Sequence, residues 1–159
     1  MHLASVVNGV PRKLMSFVGG CLCGAHRFAI TRKYLNAMHC YCDMCRKAHG
    51  TAFSTHIVVK PEQLRWAEGP TRQRFQSSRK GVREFCGACG THLLVHGQSG
   101  DDTLAIPAGT LDGDPELTLL GHMFTQEQVS WIHINDTLPR HRAWPPGFGP
   151  TSSSGEGQP

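Results

Sequence analysis

The sequence predicts a mainly β fold, with antiparallel sheets and at most short helical turns. Its 159 residues include 18 glycines and 10 prolines, which favour turns between short strands over long helices. Residues 25–30 alternate with a period of two, as in a strand with one buried face. The length and the hydrophobic fraction of 39% suffice for one domain with its own core.

The first half of the chain alternates strand candidates with turn signals. We expect strands at 16–20, 25–31, 52–60, 63–69 and 71–78. Pro61 ends the third of these strands and permits a brief turn after it. The stretch 43–50 permits one short helical turn that stops at Gly50. Gly69-Pro70 lies between the last two strands and indicates a hairpin connection.

The second half repeats the same organisation. Residues 81–97 predict a strand, a Gly-rich turn and a second strand. Residues 101–114 add one more strand, followed by a turn at Asp112-Gly113. The final strands are expected at 117–125 and 129–136.

The chain divides into an N-terminal extension at 1–15, a folded domain at 16–139 and a tail at 140–159. The tail is rich in Pro, Gly and Ser, so we expect it to be disordered. No apolar run approaches the roughly 20 residues that a transmembrane helix needs. Arg12 and Lys13 interrupt the apolar core that a signal peptide would require. We therefore expect a cytoplasmic protein, with no membrane partner, whose cysteines stay reduced.

The cysteines are the strongest functional signal, because they divide into a group of four and a group of three. The clusters are Cys21 with Cys23, then Cys40, Cys42 and Cys45, and finally Cys86 with Cys89. Four thiolates close a tetrahedral zinc site, whereas three leave one position open for water or substrate. The first and last clusters carry the glycines of zinc knuckles, Gly24, Gly87 and Gly90. The sequence thus predicts sheets joined by zinc knuckles, with one structural Zn2+ and one that could do chemistry.

The metals also change the charge balance. The formal net charge is +4 with every cysteine counted as neutral. Two Zn2+ ions and seven thiolates would lower it by three, to about +1. This balance disfavours a strongly basic nucleic-acid-binding protein.

The three-cysteine cluster leaves its fourth metal ligand undetermined. His39 and His49 are near enough in sequence to be ligands, and water or a thiol are the alternatives. A zinc bound by three thiolates carries a net charge of about −1, which suits holding a thiol as a nucleophilic thiolate better than making hydroxide. A protein ligand would instead make this a second structural site. The remaining histidines of the strand patterns are interpreted as structural: His92, His96, His122 and His133.

These motifs resemble the glutathione-dependent formaldehyde-activating enzyme family, also called the centromere protein V type family. The matching stretches are 19–30, 39–54, 84–93 and 108–113, with a weaker match at 122–139. The resemblance implies an Mss4-like fold with two zinc sites. It implies structural zinc at Cys21, Cys23, Cys86 and Cys89, and catalytic zinc at Cys40, Cys42 and Cys45.

The resemblance also implies a carbon–sulfur lyase that reversibly joins glutathione and formaldehyde into S-(hydroxymethyl)glutathione. The thiol would bind at the three-cysteine zinc and attack the aldehyde carbon as a thiolate. The sequence departs from the family at Glu127-Gln128 and Ser130, where Ser-Lys and Pro are typical, and it keeps Trp131. This departure concerns binding of an acidic thiol and leaves the zinc sites intact. The alternative function is a non-catalytic zinc-binding thiol carrier or protein-interaction module.

Overall fold

Short strands build most of the structure. The computed structural model describes residues 6–7, 10–11, 17–97 and 102–149. Its strands are β1 (Val6–Val7), β2 (Val10–Pro11), β3 (Phe17–Gly20), β4 (Arg27–Ile30), β5 (Asn36–Cys40), β6 (Ser54–Val59), β7 (Leu64–Trp66), β8 (Gln73–Gln76), β9 (Val82–Phe85), β10 (His92–His96), β11 (Leu104–Pro107) and β12 (His122–Met123). The described helical segments are α1 (Asp43–His49) and the 3-10 turns Pro61–Gln63, Ala108–Thr110 and Thr125–Glu127. The predicted mainly β fold, with at most short helical turns, is confirmed.

The strands form a seven-stranded sheet, a three-stranded sheet and a two-stranded pair. The large sheet has the order β12-β5-β6-β11-β10-β9-β8. Its neighbours run antiparallel, except that β12 lies parallel to β5. The small sheet has the order β3-β4-β7, and β1 pairs with β2.

The main hydrophobic core combines side chains from both larger sheets. Phe28 and Ile30 of β4 cluster with Ile57 of β6, Leu93 of β10 and Ile106 of β11, and each is at most 1% exposed. Burying one such side chain stabilises the folded state by about 1.5–3 kcal/mol. This cluster therefore holds the two sheets together.

Strand β9 buries two successive charged residues, Arg83 and Glu84. Successive strand residues point to opposite faces, so the two charges lie on opposite sides of the sheet. Glu84 accepts a hydrogen bond from Arg72 Nε at 2.6 Å, and its other oxygen lies 2.9 Å from His96 Nε2. Burial raises the pKa of Glu84, but the hydrogen bonds from Arg72 and His96 outweigh it, so the pKa is lowered overall. Glu84 is therefore a satisfied carboxylate.

The hairpin predicted at Gly69-Pro70 is wrong, because the two strands around it belong to different sheets. Trp66 of β7 pairs with Phe28 of β4, whereas Gln73 of β8 pairs with Phe85 of β9. The segment between them crosses from one sheet to the other. Leu64 of β7 is buried where β7 pairs in the small sheet. Local turn signals do not indicate this pairing.

The predicted strands at 117–125 and 129–136 are also largely wrong. Only β12 forms in the first of these segments, and the second contains no strand. The chain instead lies along β5, where Leu120 N–H donates to Ala37 O at 2.9 Å. Trp131 is 66% exposed. The alternating side chains of 129–136 therefore do not form one face of a sheet that packs against the core. Strand β5 itself was not predicted, although it carries the first cysteine of the triplet.

The described C-terminal residues continue beyond the predicted domain boundary at 139/140. His122 N–H donates to Pro139 O at 2.8 Å, and His141 N–H donates to His122 O at 2.8 Å. Trp144 packs edge-on against Phe124, with ring centroids 5.2 Å apart. Residues 140–149 of the expected tail thus contact β12 and its surroundings, whereas 150–159 lie outside the described residues.

The two remaining expectations concern the N-terminus and the membrane. Of the expected extension 1–15, only β1 and β2 lie within the described residues. In the part of the chain that the structure describes, no helix has the length and hydrophobicity to cross a bilayer.

Gly19 provides a test of how closely β3 approaches the 3-10 turn that follows β11. It bridges to Leu111, and a Cβ at this position would lie 2.3 Å from the Thr110 carbonyl oxygen. Gly19→Ala should therefore lower the free energy of unfolding by about 1–3 kcal/mol, because the clash is with backbone. The matched control is Gly109→Ala, where the added methyl group meets nothing within 4 Å. Equal denaturation midpoints for both variants would contradict this packing.

Candidate metal centres

Four cysteines from the two larger sheets converge at one point. Cys21 and Cys23 lie in the turn between β3 and β4, and Cys86 and Cys89 lie between β9 and β10. Their sulfur atoms all lie within 4.8 Å of one another. The Sγ–Sγ distances are 3.5 Å for Cys21–Cys23 and 3.7 Å for Cys23–Cys86. Tetrahedral zinc with 2.3 Å bonds requires sulfur separations of about 3.8 Å, so this geometry fits a zinc ion.

Tight turns aim the sulfurs of this four-cysteine group inward. Gly24 and Gly90 have φ of 77° and 74°, and each donates its N–H to the carbonyl of the cysteine that opens its turn. This left-handed conformation favours glycine, which explains the knuckle signature in the sequence. His26 N–H also donates to Cys21 Sγ at 3.2 Å. Hydrogen bonds from Thr91 lower the pKa of Cys89 to about 5, which favours the thiolate that a metal needs.

The other three cysteines form the triplet, at the junction of β5 and α1. Cys40 ends β5, Cys42 is the N-cap of α1, and Cys45 lies in its first turn. All three sulfurs lie within 4.8 Å of one another, and no triplet cysteine is more than 3% exposed. Cys45 N–H donates to Cys42 Sγ at 3.4 Å, so the cap itself brings these two cysteines together. Gly50, with φ of 61°, ends the helix as predicted.

Neither histidine considered as a fourth ligand joins the triplet. His39 Nδ1 lies 2.8 Å from Thr55 Oγ1, and its ring packs against Phe53. The His49 ring packs against His92, with centroids 4.8 Å apart. Among the described residues, only the three cysteine sulfurs form this metal-ligating group. The described residues thus offer three of the four ligands of a tetrahedral ion.

A buried basic cluster surrounds Cys45. Arg83 is 1% exposed, and its Nη2 lies 3.6 Å from Cys45 Sγ. Hydrogen bonds from Cys40 and Cys42 lower the pKa of Cys45 and outweigh its burial, and the positive charge of Arg83 lowers it further.

The histidines of this cluster are neutral near pH 7. Burial lowers the pKa of His49 to about 3, and burial also lowers the pKa values of His56 and His92. Four buried nitrogens of the cluster have no hydrogen-bond partner among the described residues: His49 Nε2, His92 Nδ1, and Arg83 Nε and Nη1.

Tyr41 anchors the triplet loop. It lies between Cys40 and Cys42, and its hydroxyl lies 3.1 Å from His122 Nδ1. The other nitrogen of that ring, Nε2, lies 2.9 Å from Asp136 Oδ1. Tyr41 N–H also donates to Met123 O at 3.0 Å. His122 is therefore a satisfied structural histidine, as the sequence predicted.

Apolar side chains close one side of the triplet. Phe124 packs with the three cysteines, and Met44, Met123 and Trp144 lie around them. Phe124 has φ of 58° and ψ of 37°, an uncommon conformation for a bulky side chain. Its contact with Trp144 and the hydrogen bond from its N–H to Ala143 O, at 3.2 Å, hold it there.

A groove of about 390 Å³ runs beside helix α1. Its lining residues are Arg46, Lys47, Gly50, Thr51, Ala52 and Trp131. Glu127, one of the residues that depart from the family pattern, supports the start of this helix, since its Oε2 accepts a hydrogen bond from Asp43 N–H at 2.8 Å. The groove combines basic and aromatic side chains next to the helix that carries Cys45.

Sequence reasoning found all seven cysteines but missed the residues that surround the triplet. Arg83 resembled one more basic residue on a strand face, and Tyr41 resembled a spacer between cysteines. The sequence offered one signal for Arg83, a charged residue inside a segment predicted to be a strand.

Comparison with known proteins agrees with this geometry. The family model described as "Glutathione-dependent formaldehyde-activating enzyme" matches residues 16–127, which is more than half of the chain. A crystal structure of a protein from Rhodobacter sphaeroides is similar, with a TM-score of 0.51 and 24% sequence identity. The alignment covers 67% of this chain and 99% of that one, and at this identity it supports the fold alone. The match over 16–127 shows that the chain belongs to the glutathione-dependent formaldehyde-activating enzyme family.

Proposed function

We propose that this protein is a zinc-dependent carbon–sulfur lyase that adds a small thiol reversibly to an aldehyde. The observation that carries the proposal is the contrast between the two cysteine groups. One group offers four sulfurs, and the other offers three buried sulfurs with no fourth ligand from the described residues. Catalytic zinc sites keep a position for substrate, whereas structural sites use four protein ligands.

Zinc fits both groups. Cys21, Cys23, Cys86 and Cys89 would hold a structural ion, and Cys40, Cys42 and Cys45 a catalytic one. The Sγ–Sγ distance of 3.5 Å between Cys40 and Cys42 is close to the tetrahedral value of about 3.8 Å. When bound at the triplet, zinc stabilises the thiolate form of a thiol substrate at neutral pH.

The residues around the triplet would bind the thiol and limit the access of water. Phe124 and Met44 cover one side, which shields the reacting atoms from solvent. Arg46 and Lys47 line the groove beside α1, and both pair with Asp43, so these three side chains carry one net positive charge. We propose that the acidic groups of the thiol extend towards it. Exposed Trp131 adds an apolar wall to the same groove.

Glutathione and formaldehyde are the substrates we propose, from family membership and from this groove. Glutathione carries carboxylates, which complement Arg46 and Lys47. The family-typical lysine is replaced in the segment at Glu127-Gln128, but the groove supplies cationic side chains from α1 instead. The loss of the family-typical lysine is therefore compatible with binding of an acidic thiol.

A non-catalytic zinc module remains the second candidate. It would require a fourth protein ligand at the triplet, which would close the site. His39 and His49, the two nearest candidates, are packed against other rings. The observed arrangement therefore favours the enzyme.

The two metal groups should differ in their contribution to stability. Cys42→Ser should lose about one zinc per chain while keeping the fold, since serine is also a good helix N-cap. Cys86→Ser should lose cooperative unfolding, because a structural zinc contributes about 10–16 kcal/mol in small peptides. Zinc content and far-UV circular dichroism measure both effects. Equal loss of fold in the two variants would mean that both sites are structural.

Exchange spectroscopy of glutathione with formaldehyde tests the activity directly. We expect the wild-type protein to raise the rate at which free glutathione and S-(hydroxymethyl)glutathione interconvert, and Cys42→Ser to leave it at the uncatalysed rate. A carrier module would bind the thiol without changing this rate. Wild-type protein with two zinc ions and no effect on exchange would therefore refute the lyase proposal.

The groove predicts a preference for acidic thiols. Lys47→Glu should raise the KM for glutathione about two- to fivefold at low salt, the size expected for an exposed charge. The KM for 2-mercaptoethanol, which lacks carboxylates, should not change. Lys33→Glu is the control, because Lys33 does not line the groove. Equal effects on both thiols would assign the acidic groups to another surface.

A further inference from the structure

We infer that Arg83 is a positioning residue that makes the fourth ligand position of the triplet prefer an anionic ligand, a thiolate, over a neutral one. This inference rests on the proposed function, because it concerns the ligand that the triplet metal would take. It adds a residue outside the cysteine motifs to that site.

The contact of Arg83 is direct and buried. Its Nη2 lies 3.6 Å from Cys45 Sγ, and the side chain is 1% exposed. Glu84, the next residue, points to the opposite face and binds Arg72 and His96 there. None of the described carboxylates forms an ion pair with Arg83. Its positive charge is therefore directed at the sulfurs of the triplet.

The charge of the triplet depends on its fourth ligand. Three thiolates and Zn2+ carry a formal charge of −1, which a neutral ligand leaves unchanged and a fourth thiolate lowers to −2. Buried charge is costly unless it is paired. A guanidinium beside Cys45 offsets one negative charge, so it favours the thiolate-bound form more than the form with a neutral ligand.

The negative charge of the four-cysteine group is compensated differently. Cys23 is exposed and Cys89 is half-buried, so water screens the charge of that group. All three triplet cysteines are buried, so the neighbouring protein must provide the compensation. Arg83, whose Nη2 lies 3.6 Å from Cys45 Sγ, brings a cation into this buried site.

The unused donors of Arg83 support the same role. Nε and Nη1 have no partner among the described residues, nor does Nε2 of the neighbouring His49. Buried polar groups without partners normally indicate a ligand, water or ion next to them. A hydrogen-bond donor beside the metal position suits an anionic ligand.

Cobalt substitution tests this inference without measuring turnover. Two probe ligands are titrated into the Co(II)-loaded protein: 2-mercaptoethanol, which binds as a thiolate, and imidazole, which binds neutral. Visible absorption reports the Kd for each. The variants are Arg83→Met, Arg83→Lys, and Arg74→Met as a control that removes an exposed arginine from the neighbouring strand.

We expect Arg83→Met to weaken 2-mercaptoethanol binding about tenfold or more, with little change for imidazole. Arg83→Lys should restore much of the thiol affinity because it keeps the charge, and Arg74→Met should leave both Kd values unchanged. Should Arg83→Met fail to fold, Arg83→Gln removes the same charge and gives the same ratio.

Three outcomes would overturn the inference. Equal weakening of both probes would reduce Arg83 to a structural residue, and unchanged thiol affinity would remove its electrostatic role. A loss in Arg83→Lys equal to that in Arg83→Met would attribute the effect to shape and not charge. Failure of the wild-type protein to bind 2-mercaptoethanol at all would refute the proposed function itself, which separates the two conclusions.

Discussion

The convergence of four sulfurs on one point is the constraint on which the rest of the structure depends. Cys21 and Cys23 leave from the small sheet, and Cys86 and Cys89 leave from the large one. A junction here fixes the position of β9, whose last residue immediately precedes Cys86. Because Arg83 lies on that strand, the junction also sets where its guanidinium meets the triplet. The four-cysteine group and the triplet are thus connected through one short strand.

The triplet follows different rules, because local backbone geometry assembles it. A strand end, a helix cap and a first helical turn deliver three sulfurs within a few residues of chain. The surrounding contacts then come from distant segments, among them the hydrogen bond between Tyr41 and His122 and the packing of Phe124. Local geometry therefore decides which atoms could bind a metal, whereas tertiary packing decides its charge environment and its access to water.

The same distinction explains what sequence could and could not predict. The two knuckles and the cap at Gly50 were predicted correctly, since each depends on residues only a few positions apart. The hairpin around Gly69-Pro70 was wrong because strand pairing is chosen by burial across the whole fold, and the turn residues there only mark a crossing. Strand β5 went unpredicted because the run NAMHC lacks alternation, as expected for a strand in the interior of a sheet. The environment of Arg83 required a structure, since a charge inside a strand pattern marks the position without showing what the side chain contacts.

The pairing of Pro139 and His141 with β12 has a consequence for how the protein is made. All seven cysteines leave the ribosome before residues 139–144 do. The cysteine sulfurs can therefore come together before this segment covers the triplet. The four-cysteine junction can close on the nascent chain, whereas the triplet stays uncovered until Trp144 packs against Phe124. During that interval the triplet is a set of accessible thiols, open to the wrong metal or to oxidation. Packing of Trp144 against Phe124 is therefore also the step that covers the triplet.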